Sequence, residues 1–261
     1  MSNPTSQLAA LHAEDAIRLI AVVTSLDPTP DDLEARRLEV VAALGEIIDA
    51  DAGHWGWGRG APDTNSIAPV AMVDFGYTDE QQALMIEHAM NPESMKMFQA
   101  RMTTRFDGQR LASATRRDLI PDDEWRRSPL WCEYVERLGL DSWVHAVRYR
   151  GGDTWSCLHM LRRRAKPEFE ARHAALLHAA LASIAWLSST AAEMVPTDVF
   201  KPLTPRQRTV MLLVLDGRSR KDIARQLGLS EHTIDDHLKA IYTHFGVKSV
   251  GELAARFLKR A

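Results

Sequence analysis

The sequence predicts two folded units of different class, an α+β N-terminal domain and an all-α C-terminal one. Three observations carry that division. All seven tryptophans lie before residue 190, so the two parts differ in the residues that build their cores. Residues 201–261 hold 12 of the 32 Lys and Arg but only 6 of the 35 Asp and Glu, which attaches a basic tail to an acidic body. Strand signals fall only in the first part, and after residue 203 each segment reads as helix. With 261 residues, 45% of them apolar, the chain has the material for two cores.

The N-terminal elements follow from local pattern. Ser6 to Ser25 and Asp31 to Ala50 carry apolar residues at helical spacing, and the prolines of "DPTP" break one helix before the next begins. "GHWGWG" and "SIAPVAMVDFGY" read as strands, followed by a helix from about Thr78 to His88, while residues 91–120 show no single period. Trp125 to Leu138 reads as a helix that Gly139 ends in a left-handed conformation.

The clearest strand signal is "WVHAVRYRGGDTWSCLHML". Strict alternation puts Trp143, His145, Val147 and Tyr149 on one face, and Gly151–Gly152 suit a tight turn. A β-hairpin is expected, with Trp155, Cys157 and His159 sharing a face of the return strand. A long helix is then expected from Pro167 to Glu193, carrying Phe169, Leu176, Leu177, Leu181, Ile184 and Leu187, with Leu177, Leu181, Ile184 and Trp186 expected to offer a dimer contact, and "VPTDVFKP" reads as a linker. The expected domains are 1–194, a linker 195–202, and 203–261.

Several function classes find no support. No basic start precedes an apolar run, and the apolar stretch Ala174 to Leu187 contains His178 and is too short to span a bilayer, so a cytoplasmic protein without membrane contact is expected. Cys132 and Cys157 lack metal-ligand spacing and read as small buried residues. "DDEW" at Asp122 to Trp125 reads as a capped helix start, "RGGD" as a turn, and Arg162 to Arg164 as a solvated strand end. No catalytic set, metal site or cofactor motif emerges.

The C-terminal segment is more specific. Thr204, Pro205 and Gln207 make a capping box that opens a helix ending at Gly217. Ser219 caps a short helix that turns at Gly228, and Ser230 caps a third. In that third helix Ile234, Leu238, Ile241 and Phe245 fall on one inward arc, while His232, Asp236, Lys239 and Thr243 face the other way. A small Ala224, a turn glycine four residues on and an aliphatic six beyond that are the spacing of a helix-turn-helix.

Through Leu203, Thr204, Gly217, Ile223, Ala224, Leu229, Ser230, Thr233, Ile234, His237, Ile241 and Val247, residues 203–261 resemble the C-terminal domain of LuxR-type transcriptional regulators. The resemblance implies a four-helix domain whose third helix enters the major groove of double-stranded promoter DNA, and whose last helix, Val250 to Lys259, supports dimerisation. RNA polymerase is then an expected partner. Gln207, Arg220 and Val250 depart from the family's usual residues at their positions. So do Asp235 and Asp236, where relatives carry a basic residue at the first of the two.

Three accounts of these acids stand side by side. One carboxylate accepts from cytosine N4 in the groove, with Asp236 the better placed reader. Alternatively, Asp235 pairs with Lys239 along the helix, or the helix has lost DNA for another partner. His232, Thr233, His237 and Thr243 complete the expected DNA face, with Arg206, Arg220, Lys221, Lys239 and Lys248 supplying phosphate contacts.

The body, over residues 31–190, is similar in element order to GAF and PAS sensor folds, which implies a mixed sheet with flanking helices. Trp57, Phe75, Trp131, Trp143, Trp155, His145 and His159 are candidates for lining a pocket for an unidentified small-molecule effector; the alternative is that they build the core. The expected function is a dimeric, effector-controlled DNA-binding regulator. A sigma-like promoter-recognition protein is the rival, together with an enzymatic or protein-interaction body tethered to DNA.

Overall fold

The computed structural model describes residues 8–26, 33–59, 68–91, 98, 100–106, 111–150, 154–184, 203–215 and 217–258. The Gly151–Gly152 turn, the end of the long helix from Ala185 on, and the linker lie outside the described residues.

Helices α1 (Ala13–Ser25) and α2 (Leu33–Ile47) precede strands β1 (Ala52–Arg59) and β2 (Ala68–Phe75) and helix α3 (Asp79–Met90). Strand β3 (Leu111–Thr115) runs into two four-residue helices, α4 (Arg116–Leu119) and α5 (Asp122–Trp125), then a π-helical turn (Trp131–Val135) and α6 (Glu136–Leu138). Strands β4 (Leu140–Arg150) and β5 (Thr154–Arg163) form the hairpin, and α7 (Ala171–Ser183) follows.

The sheet has five strands in the order β2-β1-β5-β4-β3. Among the described residues every pairing is antiparallel, which corrects the expected mixed sheet. Such a sheet also counts against a sigma-like helical body.

Alternation along the strands sorts side chains between two apolar clusters. One face meets α2 and α7: Trp55 and Trp57 of β1, Val144 and Ala146 of β4, and Leu158 and Met160 of β5 pack there with Val41, Leu44, Leu177 and Leu181. The other face, carrying Trp143, Val147, Tyr149, Cys157 and Leu161, is covered by α3, residues 100–106 and the α4 to α6 region through Leu84, Met102, Trp125, Trp131, Tyr134 and Leu138.

Several local expectations are corrected. The segment after Trp125 is not one helix; it turns at Ser128, whose hydroxyl donates to the Trp125 carbonyl, and restarts as a π turn before Gly139 closes it at φ 67°. Asp122 does not cap a helix start but receives Arg116, a buried guanidinium that also holds Glu168. Arg162 is no solvated strand end, since it is buried and donates to the carbonyls of Asp49 and Pro167 at 3.1 and 2.8 Å. Cys132 is exposed, while Cys157 is buried. The last helix of the body starts at Ala171 rather than Pro167, with Glu170 at its N-cap. Leu177, Leu181 and Ile184, expected to offer a dimer surface, are wholly buried against the chain's own sheet.

The C-terminal residues form α8 (Pro205–Leu215), α9 (Arg220–Leu227), α10 (Glu231–Phe245) and α11 (Val250–Leu258). Helix α8 lies against β2, an outer strand, and the Thr209 hydroxyl donates to the Pro69 carbonyl at 2.7 Å. An outer strand presents unpaired backbone groups, and a helix laid over it covers them. Val210, Met211 and Leu213 of α8 belong to the same apolar cluster as α2 and α7, so the two parts share a continuous core.

Candidate functional sites

The helix-turn-helix is built by its caps. Thr204 and Gln207 bond reciprocally, the Thr204 amide donating to Gln207 Oε1 at 2.9 Å and the Gln207 amide to Thr204 Oγ1 at 3.3 Å. Ser219 accepts from the Asp222 amide and Ser230 from the Thr233 amide, each at 3.1 Å, so α9 and α10 start where their donors are satisfied. Between them Gly228 turns the chain at φ 62°, a conformation that costs a glycine little. Ile234, Leu238, Ile241 and Phe245 are buried inward, and His232, Asp236, Lys239 and Thr243 are exposed.

The two aspartates have different partners. Asp235 does not pair with Lys239; its Oδ1 lies 3.2 Å from Arg220 Nε on α9. Lys239 instead reaches back to Asp236 at 3.2 Å, and His232 Nε2 sits 3.7 Å from the same carboxylate. The reason is angular. Position 235 lies 100° from 236, toward α9, so only Asp236 shares the outer stripe with His232 and Lys239.

Among the expected phosphate contacts, Arg220, Lys221, Lys239 and Lys248 are exposed. Arg206 is half-buried: its Nη2 donates to the Leu227 carbonyl at 3.4 Å and its Nη1 is buried with no partner, so it packs α8 onto the end of α9. Thr233 and His237 are half-buried, and burial together with the Arg206 charge lowers the imidazole pKa of His237.

A second site lies in the body. A cavity of about 160 Å³ opens between the sheet and α3, the Phe98 to Phe106 region and the π turn. Trp143, His145, Trp155 and His159 line it as expected from their shared face, joined by His54, His88, Phe98 and Tyr134. Trp57, Phe75 and Trp131 do not. Trp57 and Phe75 point to the opposite face, where Arg37 lies 4.2 Å over the Trp57 ring, and Trp131 packs behind the wall against Trp125. No Asp, Glu, Lys or Arg among the described residues lines the cavity.

Three of its polar groups are imidazoles in register. His54 of β1 pairs across to His159 of β5, which pairs across to His145 of β4, with ring centroids 5.1 and 5.3 Å apart. Sequence reasoning found the hairpin pair but missed His54 and His88. The signal for His54 was available, since it alternates with Trp55 and Trp57 in "GHWGWG". His54 Nδ1 lies 3.1 Å from the Tyr77 hydroxyl, but His145 Nδ1 and His159 Nε2 are buried without a partner.

Burial pushes the imidazoles of His54 and His88 down to about 4 and that of His145 to about 3, and holds His159 well below the usual range. Neutral imidazole offers one donor and one acceptor nitrogen. Each orphaned buried nitrogen costs on the order of 1–3 kcal/mol, which a bound polar atom would recover. No cluster of three or more His, Cys, Asp or Glu among the described residues has the geometry to hold a metal ion.

The cavity wall also includes Thr209, Gln226 and Leu227, from α8 and α9. The helix-turn-helix region therefore closes one side of a cavity whose floor is the sheet.

Residues 201–257 match the family of bacterial regulatory proteins, luxR family. Over 65 residues the chain is 40% identical to an HTH-type transcriptional regulator of Mycobacterium tuberculosis, covering 25% of this chain and 7% of that one. It is 38% identical over 52 residues to the transcriptional regulatory protein MctR of Rhizobium johnstonii (20% and 24% covered), and 38% over 64 residues to the oxygen regulatory protein NreC of Staphylococcus aureus (24% and 30%). The chain thus spans less than a third of the length of these relatives. Among solved structures, SdiA in complex with octanoyl-rac-glycerol aligns over 94% of both chains at 15% identity with a TM-score of 0.43. CepR2 of Burkholderia cenocepacia, an N-acylhomoserine lactone dependent factor, aligns over 68% of this chain and 94% of its own at 16% identity with a TM-score of 0.44.

Proposed function

Residues 201–257 form a LuxR-type helix-turn-helix domain, and from that premise we propose that this chain is a cytoplasmic transcription regulator that binds promoter DNA as a dimer under control of residues 1–194. The observation that carries the reading is the outer face of α10. A packed inner arc fixes the helix, and a polar stripe of His232, Asp236, Lys239 and Thr243 is exposed for base edges. Lys221 and Lys248 flank it as phosphate contacts, with Arg220 shared between Asp235 and phosphate, and RNA polymerase is the partner such a promoter-bound protein would serve.

Control by the body is supported by the shared cavity wall. A molecule seated there touches the sheet and, through Thr209, Gln226 and Leu227, the DNA-binding helices. It can therefore bind the docked and undocked arrangements with different affinity, which is the requirement for coupling. Dimerisation is supported by exposed apolar side chains on the outer layer. Ile17 and Ile20, one turn apart on α1, are 67% and 60% exposed, with Leu38 of the adjoining α2 at 42%. The domain limits 1–194 and 203–261, with a linker between, belong to the same proposal.

The test is selection from a random DNA library by the full-length protein at two salt concentrations. Enrichment of a two-fold motif with half-sites about 10 base pairs apart, or a multiple, is the expected result. Salt-sensitive binding without any motif would reduce the C-terminal part to a non-specific tether and sink the proposal.

A further inference from the structure

The cavity also specifies what it can hold, and this rests on the reading of the body as an effector sensor. We infer that the ligand is an uncharged molecule of about one six-membered ring, carrying a hydroxyl or carbonyl that bonds the imidazoles of His145 and His159.

Size comes first. A volume of about 160 Å³ is close to that of an engineered apolar cavity of about 150 Å³ that takes up benzene. Shape points the same way. Phe98 stands edge-on to Trp143 and to His145, with centroids at 5.5 and 4.8 Å, which leaves flat walls that favour a planar ring. Met72, Met85 and Met102 give softer walls that adjust to substituents.

The described lining disfavours charge. A carboxylate or ammonium entering the cavity would lose its water and meet no opposite charge among the described lining residues. A molecule with no polar group is disfavoured by the two orphaned nitrogens, which lie on adjacent strands in one register pair. One hydroxyl that donates to the first imidazole and accepts from the second satisfies both, because a neutral imidazole can present either role at either nitrogen. His145 is itself only 6% exposed, so bulk water does not compete freely for it.

The experiment is calorimetric titration of the full chain with four probes: phenol, toluene, benzoate and benzylamine. Long-range proton–nitrogen NMR of the histidine rings is recorded alongside. Phenol should bind at least tenfold tighter than toluene, its match in shape, although toluene is the more apolar. It should move the ring nitrogens of His145 and His159, and the two charged probes should fail. His145→Phe and His159→Phe should abolish the preference for phenol. Should either fail to fold, His145→Asn and His159→Gln, whose amides reach the Nδ1 and Nε2 positions, should retain part of it. Tighter toluene binding, binding of benzoate or benzylamine, or no binding by any probe would overturn the inference. Phenol binding of the expected kind that leaves DNA affinity unchanged would support the ligand class while removing the sensor role proposed above.

Discussion

Arg220 Nε and Asp235 Oδ1 lie 3.2 Å apart, tying the first residue of α9 to the first half of α10. An acid on a helix meant for a polyanion is thereby accounted for, since Asp235 faces its neighbouring helix rather than the groove. Both side chains are partly exposed, at 57% and 39%, so the pair contributes about 0.2–1 kcal/mol. A double-mutant cycle of Arg220→Ala and Asp235→Ala should return a coupling in that range. Asp235→Ala alone frees Arg220 toward phosphate, so non-specific DNA affinity should rise and its salt dependence steepen. Unchanged affinity with zero coupling would mean that the pair does not form in solution.

Asp236 behaves differently. Its carboxylate lies on the outer stripe with Lys239 at 3.2 Å, where it can accept a hydrogen bond donated by cytosine N4. Asp236→Ala should relax selection at one base position, by about 1–3 kcal/mol of discrimination. It should also raise affinity for random DNA slightly. Library selection with the variant checks both, and an unchanged motif would dismiss the reading role.

The helix-turn-helix was legible in the sequence because its determinants are local. Thr204, Ser219 and Ser230 cap within three residues, and Gly228 turns in place. What remained hidden depends on distant partners. Nothing near Asp235 in sequence indicates Arg220, and nothing near Arg206 indicates that the carbonyl of Leu227 turns it inward. In the body, period two placed Trp143, His145, Trp155 and His159 on one face. It could not say that β1 lies beside β5, which is what brings His54 into their row and sends Trp57 to the other side. The apolar residues of α7 failed as a dimer surface for a similar reason: helical spacing shows that a face is apolar, not what covers it.

Thr209 offers a handle on communication between the two parts. Its hydroxyl donates to the Pro69 carbonyl at 2.7 Å, and the residue also lines the cavity. Thr209→Val keeps the shape but removes that bond, at a cost of about 0.5–1.5 kcal/mol in the docked arrangement. Hydrogen exchange should quicken in β2 and α8 while α10 keeps its protection, and DNA affinity should shift. Exchange that is unchanged in β2 and α8 would show that docking does not depend on this bond.

The buried imidazoles make the body acid-sensitive. His54 and His145 hold their pKa values down to about 4 and about 3, against about 6.5 in an unfolded chain. Below pH 6.5 the unfolded chain therefore binds protons that the native fold refuses, so stability is complete above that pH and is lost as the pH falls toward the native values. At pH 5 each of the two histidines should have removed about 2 kcal/mol, a large share of an ordinary domain's total. Asp74, the cross-strand neighbour of His54, opposes the trend, because burial raises its carboxyl pKa. It offsets part of the loss once the pH falls through that raised value, whereas the histidine loss begins near pH 6.5. Urea unfolding monitored by tryptophan fluorescence should show stability falling across that interval, and His145→Asn, which cannot titrate, should flatten the slope by one proton. A profile flat from pH 7.5 to 5 would require the imidazoles to be reached by water in the native state.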